Sequence, residues 1–519
     1  MDFNFEKTFL GIELGSTRIK AVLIGENNSV LASGAFDWEN EKDGIWWTYS
    51  LENVQKGLQG AYGELKAEVS KKFGVTLRRV GAIGISAMMH GYIALDENDR
   101  LLTPFRTWRN TATSESAAEL SSLFGFNIPE RWTVSHLRHA ERSNEEHVQK
   151  ISYLTTLAGY VHYVLTGKKV VGVGEASGIF PIDESTLYYD ETMLEKFNDL
   201  SSLPFKLQDV LPAVLNAGEN AGVLTQSGAL YLDPSGDLEG GIALCPPEGD
   251  AGTGMTATNS VKPLTGNISA VTSVFAMIVL DKALKNYHRE IDIVATPSGK
   301  NVAMVHCNTC TSDLDSWVKI TGEVLKDNGV NLSKGELYEY FYSKALTADK
   351  DCAGLVTYNF YSGEPVLNLE SGVPTLTRDP AKPFTYSNLA NSLIYSAIAS
   401  LRIGMDILTD DGIKVEKVTG HGGLFKDPSV TQKITASALG TPVAVMSSAG
   451  EGGAWGIAVL AKYMIEKEQD EKLEDYLQNK IFNDANVSVV DPDPETQSGF
   501  NAYLERYKKG IEIMKGVSQ

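Results

Sequence analysis

The chain has 519 residues, 43% hydrophobic and 22% charged. That composition excludes a disordered or collagen-like polymer, and the length is too great for one core, so two large lobes are expected. The formal net charge is −20, from 66 acidic against 46 scattered basic residues; this argues against a nucleic-acid or anionic-membrane partner and leaves any phosphate-bearing ligand to local donors and a metal.

In chain order, Thr8 to Gly25 (TFLGIELGSTRIKAVLIG) reads as two apolar strands joined by the turn Leu14-Gly15-Ser16-Thr17. A helix is expected from Leu51 to Phe73, then a buried strand, VGAIGISAM, whose continuous apolar character points to a sheet covered on both faces. Ile151 to Leu165 has helical spacing and stops at Thr166-Gly167. The loop CPPEGDAGTGM leads to a second β-rich opening, NISAVTSVFAMIVL, so a new lobe is placed near Met255. A helix from Leu389 to Leu408, the stretch VTGHGGLFKDP, the helix VTQKITASALG, the strand TPVAVMSS and the cluster AGEGGAWGIAVLA follow. The charged tail after Ile465 ends in a helix expected to pack back on the body. Two halves that each open on a β-hairpin hint at duplication, although no repeated string establishes it.

The longest apolar run, Ala270 to Leu280, falls short of the ~20 residues that span a bilayer, and MDFNFEKTF lacks the features of an export signal. Four cysteines argue against a disulfide framework, and the expected location is cytoplasmic. Cys307 and Cys310 form a CxxC with no second ligand pair, so small core residues are the favoured reading over a zinc or redox site.

The chain has no GxxxxGK[ST], GxSxG or HExxH motif. Gly172-Val173-Gly174-Glu175 partly matches a dinucleotide fingerprint but lacks the third glycine, and keeps an oxidoreductase reading open only on that basis. What remains is a set of small-residue turns suited to phosphate: Gly15 to Arg18, Gly249 to Gly254, Thr272-Ser273, Gly420 to Gly423 and Gly450 to Gly453.

In order and spacing these turns, with GIELGSTRIKAVL, SAMMHGYIALD, EASGIFPID, GDAGTGM, YSGEP, VTGHGGLFKDPSVTQKITASALG and EGGAWGIAVLA, resemble the FGGY family of carbohydrate kinases, of xylulokinase-like type, in the actin-like ATPase superfamily. The resemblance covers nearly the whole chain. It implies an α/β fold of two actin-like (ribonuclease H-like) lobes with a catalytic cleft between them: an N-terminal lobe over residues 1–255 for the sugar and the base, a C-terminal lobe over 256–465 for ATP, and a helical extension over 466–519. It also implies ATP and Mg²⁺, a small-molecule sugar such as a ketopentose, and by analogy a homodimer.

Residue by residue, Asp250 matches the family's general base and also touches the sugar, and Glu13 stands where the family has an aspartate near the metal. Gly15, Ser16, Thr17, Arg18, Thr272, Ser273, Gly422, Gly423 and Phe425 match the nucleotide positions, with Val-Thr-Ser replacing Gly-Thr-Ser and Lys426 following Phe425. Met89, His90 and Trp108 match sugar contacts; Asn110 replaces a carboxylate, which leaves other ketoses, polyols and sugar acids open as acceptors. At most one of the adjacent Trp46 and Trp47 is expected to stack on the sugar. Loss of transfer in a binding protein of the same fold is the other reading.

Overall fold

Nearly every residue of Phe9–Leu14 and Arg18–Ile24 is buried, so both faces of this opening hairpin are covered. It lies inside a sheet ordered Ala243–Leu244, Ala82–Ala87, Phe9–Leu14, Arg18–Ile24, Val30–Asp37, with Glu248–Gly249 also pairing to Ala82–Ala87. The computed structural model describes residues 4–425, 428–446, 452–483, 485 and 487–517.

The chain forms two compact units. The first holds Met1–Val261, Ile293–Val302 and Ala449–Asp484; the second holds Lys262–Asp292, Ala303–Ser448 and Ala485–Gln519. The linear scheme with boundaries at 255 and 465 therefore differs from the compact units, because the helix Gly452–Glu466 packs on the first sheet: a Cβ on Gly11 would stand 2.0 Å from the Ala454 carbonyl oxygen. The expected tail divides as well. Its helix Pro494–Val517 belongs to the second unit, where Tyr503 donates to the Thr357 and Ser392 carbonyls at 3.1 and 3.2 Å and Tyr507 stacks on Tyr358.

The other large sheet runs Ile291–Ala295, Asn301–Cys307, Val274–Val279, Thr265–Ala270, Lys417–His421, Val443–Met446, Val487–Val490. Each sheet has the same centre: Phe9–Leu14 is antiparallel to Arg18–Ile24 and parallel to Ala82–Ala87, and Thr265–Ala270 is antiparallel to Val274–Val279 and parallel to Lys417–His421. The two hairpin openings thus share a three-strand topology.

Leu51–Phe73 is helical with Ser50 as its N-cap and Gly74 as its left-handed C-cap. The helix read from Ile151 instead begins at Leu157, because Tyr153–Thr155 pairs as a strand with Ile93–Leu95 and Thr156 takes the N-cap; tyrosine and threonine suit a strand better than a helix. Tyr386–Asp410 is long and apolar enough to cross a membrane, yet most of it is buried in the second unit, as in a core helix.

Candidate active site

The first unit gathers its polar residues at the carboxyl ends of parallel strands, the usual place for ligands in such sheets. Glu13 pairs abreast of Ser86 on Ala82–Ala87, and Glu248 pairs with Ser86 from the other side. Met89 and His90 come directly after that middle strand, and Asp250 directly after Glu248–Gly249.

The GDAGTG segment, read as a loop, is the start of a helix, Asp250–Ala257, with Gly249 as N-cap. Asp250 is open to solvent, and its Oδ1 accepts from the Met89 N–H at 3.2 Å. The protein around it withholds enough water to raise its carboxyl above the usual range, against the pull of the Met89 and Ala251 amides. A helix N-terminus also favours the ionised form.

Glu13 reaches the first turn of Gly452–Glu466, where its Oε2 accepts from the Ala454 N–H at 3.2 Å. Burial first, then the charge of Asp250, raises it to about 7. Gly453 makes room for it: a Cβ there would sit 2.2 Å from Glu13 Oε1 and 2.7 Å from Thr253 Oγ1. That part of the expected phosphate cluster is therefore occupied by the protein's own carboxylate, while Lys426, Gly450 and Glu451 lie outside the described residues.

The Gly15-Ser16-Thr17 turn is fixed by aromatic donors. Trp38 Nε1 donates to the Gly15 carbonyl at 2.7 Å, Tyr49 Oη to the Ser16 carbonyl at 2.5 Å, and Trp108 Nε1 to Ser16 Oγ at 3.1 Å. With its carbonyls so held, the turn keeps the amides of Ser16 and Thr17 without acceptors among the described residues, which is the donor arrangement an anion needs. Arg18 is turned away from this role by Asp37, onto which its guanidinium forks at 2.6 and 3.1 Å.

His90 has a left-handed backbone (φ 72°), an uncommon state for a side chain with a Cβ. Its Nδ1 lies 3.4 Å from the Gly178 carbonyl, which assigns the proton to Nδ1 and leaves Nε2 as an acceptor. Burial, and next the nearby Arg131, lower its pKa well below the ordinary value, so the ring is neutral. Met89 is buried beside it, and Trp108 is 41% exposed.

Asn110 is not free in this way. Its side chain is buried and both ends of its amide bond to protein: Oδ1 accepts from Trp47 N–H at 2.8 Å, and Nδ2 donates to the Trp47 and Thr107 carbonyls at 2.9 and 3.0 Å. The tryptophan pair is occupied as well. Trp46 lies under the Arg106 guanidinium at 3.9 Å, and the Trp47 ring has Lys42 at 5.2 Å and Arg109 at 4.9 Å.

The second unit carries a cavity of about 720 Å³ lined by Val271, Thr272, Thr311, Asp315, Lys334, Gly335, Tyr338, Glu339, Tyr342 and Gly423. Of the expected nucleotide residues it includes Thr272 and Gly423 but neither Ser273 nor Gly422. Gly422 (φ 98°) instead passes close over the Ala270 carbonyl, where a Cβ would come within 2.5 Å. Phe425 departs further from expectation: it is buried against Gly420, whose Cβ would lie 2.6 Å from its ring. Sequence reading missed Lys334, Tyr338 and Tyr342, although their i, i+4, i+8 spacing on Lys334–Ala345 marks one helical face.

Cys307 and Cys310 are buried free thiols, and among the described residues no group of three or more His, Cys, Asp or Glu is arranged to hold a metal ion.

Amides left open at the first unit's hairpin turn and a solvent-facing aspartate at a helix start are groups that phosphoryl transfer to a hydroxyl calls for. Residues 8–232 match the N-terminal domain, and residues 266–465 the C-terminal domain, of the FGGY family of carbohydrate kinases. The chain belongs to that family, and its activity is that of a sugar kinase using ATP. It is 24% identical over 481 residues to the xylulose kinase of Haemophilus influenzae, covering 86% of this chain and 91% of that one. To the xylulose kinase of Escherichia coli it is 22% identical, covering 88% and 89%. In fold it is similar to a xylulose kinase from Brucella ovis (TM-score 0.79, 18% identity, 98% and 100% covered) and to a gluconate kinase from Lactobacillus acidophilus (TM-score 0.79, 17% identity, 98% of each covered).

Proposed function

We propose that the chain phosphorylates a hydroxyl of a ketopentose such as D-xylulose, with Asp250 as general base. The observation that carries this reading is Asp250 itself, a carboxylate open to solvent and steadied by the Met89 N–H. Asp250 accepts the hydroxyl proton as the acceptor oxygen attacks the γ-phosphorus and the bond to the β-γ bridging oxygen breaks. His90 Nε2 accepts a hydrogen bond from a second hydroxyl, and Trp108 and Met89 cover the sugar's apolar face. The amides of Ser16 and Thr17 hold phosphoryl oxygens, while adenosine lies in the cavity at Thr272 and Gly423.

Glu13 feels the charge of Asp250, and a carboxylate beside the base fits a hard divalent cation that keeps most of its water. When bound with ATP, Mg²⁺ neutralises phosphoryl oxygens, and Glu13 would hold it through a water ligand. ATP as co-substrate and four reduced thiols support a cytoplasmic location.

A second acceptor class, sugar acids, is favoured by one feature: the Arg109 guanidinium lies over the Trp47 and Trp108 rings, a cation beside a sugar-contact position in a chain of net charge −20. The test is ADP release from MgATP with a panel of ketopentoses, methylpentuloses, polyols and sugar acids. Turnover fastest with a ketopentose supports the first reading, fastest with an acid the second, and ATP binding with no turnover of any acceptor sinks both.

A further inference from the structure

The glycines of the partial dinucleotide motif have an internal ligand. Glu248 places its carboxylate at the start of the short helix Val173–Ala176, accepting from Glu175 N–H at 2.9 Å and from Gly174 N–H at 3.4 Å. A Cβ on Gly172 would stand 2.1 Å from Glu248 Oε1, and one on Gly174 2.4 Å from Oε2. The cradle that would hold a pyrophosphate in a dinucleotide enzyme is closed by the protein's own side chain.

The next residue of that helix, Glu175, is fully buried, and neither carboxyl oxygen has a partner with hydrogen-bond geometry. Its Oε2 lies against Gly249, where a Cβ would be 2.5 Å away. Both acids therefore converge on the junction that carries Asp250: Glu248 precedes Gly249 in the strand, and Glu175 presses on Gly249 from behind. The groups facing Glu175 are Glu248 from the strand, Asp250 from its helix, Tyr189 from Tyr188–Tyr189 and the Thr156 hydroxyl; no lysine or arginine is among them. A buried carboxylate without a cation is too costly to persist, so the proton stays on. Burial, and then the neighbouring carboxyls, raise Glu175 well above the usual range, and burial raises Glu248 to about 8.

We propose that Glu175 and Glu248 are positioning residues for Asp250, locking the Gly249–Asp250 junction into the glycine cradle while Glu175, kept as a neutral acid, adds no second full charge beside it. This rests on the reading of Asp250 as the base. It concerns residues outside the sugar and nucleotide contacts proposed above.

The test uses the full chain with Glu175→Ala, Glu175→Gln and Asp250→Asn, reading kcat and KM between pH 6 and 9 and the melting temperature across the same range and below. Misplacing the junction in Glu175→Ala should lower kcat about a hundredfold with KM for ATP little changed. The neutral isostere Glu175→Gln should restore kcat to within about threefold of wild type and remove any fall at high pH. Wild-type kcat in Glu175→Ala, or a Glu175→Gln protein as impaired as the alanine variant, would overturn the proposal.

The melting arm stands apart from the base reading. Below the unfolded carboxyl pKa both states are protonated; above it the unfolded chain gives up a proton that folded Glu175 retains, so stability falls as pH rises. That slope should flatten in Glu175→Gln, and equal slopes would overturn the neutral-acid assignment. Full activity of Asp250→Asn would instead overturn the base reading and leave the melting result to decide the state of the pair.

Discussion

Asn110 and Trp47 are joined like two strands of a sheet: the Asn110 amide accepts from the Trp47 N–H at 2.8 Å and donates to the Trp47 carbonyl at 2.9 Å. Only an amide can do both, since a carboxylate has no proton to give. The substitution that the sequence offered as a changed sugar code is consumed in holding the Trp46–Thr48 strand to the segment after Thr107. Restoring the acid with Asn110→Asp should leave two carbonyls facing a buried charge and cost about 3 kcal/mol, measured by urea unfolding. Unchanged stability with a large rise in acceptor KM would return Asn110 to the sugar pocket.

Asp250→Asn should lower kcat by about 10²–10⁴-fold with ATP affinity kept, as read by steady-state rates and calorimetric titration of a nucleotide analogue. A rate near that of wild type would remove Asp250 from the chemistry.

Glu13, raised to about 7, is mostly protonated at pH 6 and ionised at pH 8. If the carboxylate is the working form, kcat/KM should climb as pH rises through about 7, and Glu13→Gln should be slow at every pH with no such limb. Folding stability should move the opposite way, because a carboxyl whose folded pKa is raised loses stabilisation as pH increases. A pH profile with the same acid limb in the glutamine variant would assign the limb elsewhere.

Gly453→Ala should act as a Glu13 mutation at a distance. The new methyl would stand 2.2 Å from Glu13 Oε1, so the carboxylate must swing off the Ala454 amide. Activity lost with Glu13 left intact in sequence, and partly regained in Glu13→Asp with its shorter arm, is the expected pattern in a rate comparison of the single and double variants.

Phe425 and Gly423, two residues apart, should separate cleanly. Phe425→Ala empties a buried site against Gly420 and should cost about 3–5 kcal/mol, while Gly423→Leu extends a side chain into the 720 Å³ cavity and should raise KM for ATP with little change in melting temperature. The reverse assignment of effects would mean that Phe425, not the cavity, meets the nucleotide.

The sequence by itself determined what depends on local period and local backbone freedom: the two hairpins, the helices from Leu51 and near Leu389, the small-residue turn at Gly15 and the glycine-flanked Asp250. These follow from alternation, capping and turn chemistry within a few residues. Tertiary structure decided where each polar atom is spent. Asn110 meets a partner 63 residues away, Glu248 meets amides 73 and 74 residues away, and Glu13 meets an amide 441 residues away. It also decided that Gly452–Glu466 joins the first unit and that Phe425 packs inward. A carboxylate or an amide reads the same in sequence whether it faces a ligand or a backbone group, since its role is set by which donors the fold brings within 3 Å; Asp250 keeps its place because its helix start leaves it facing water.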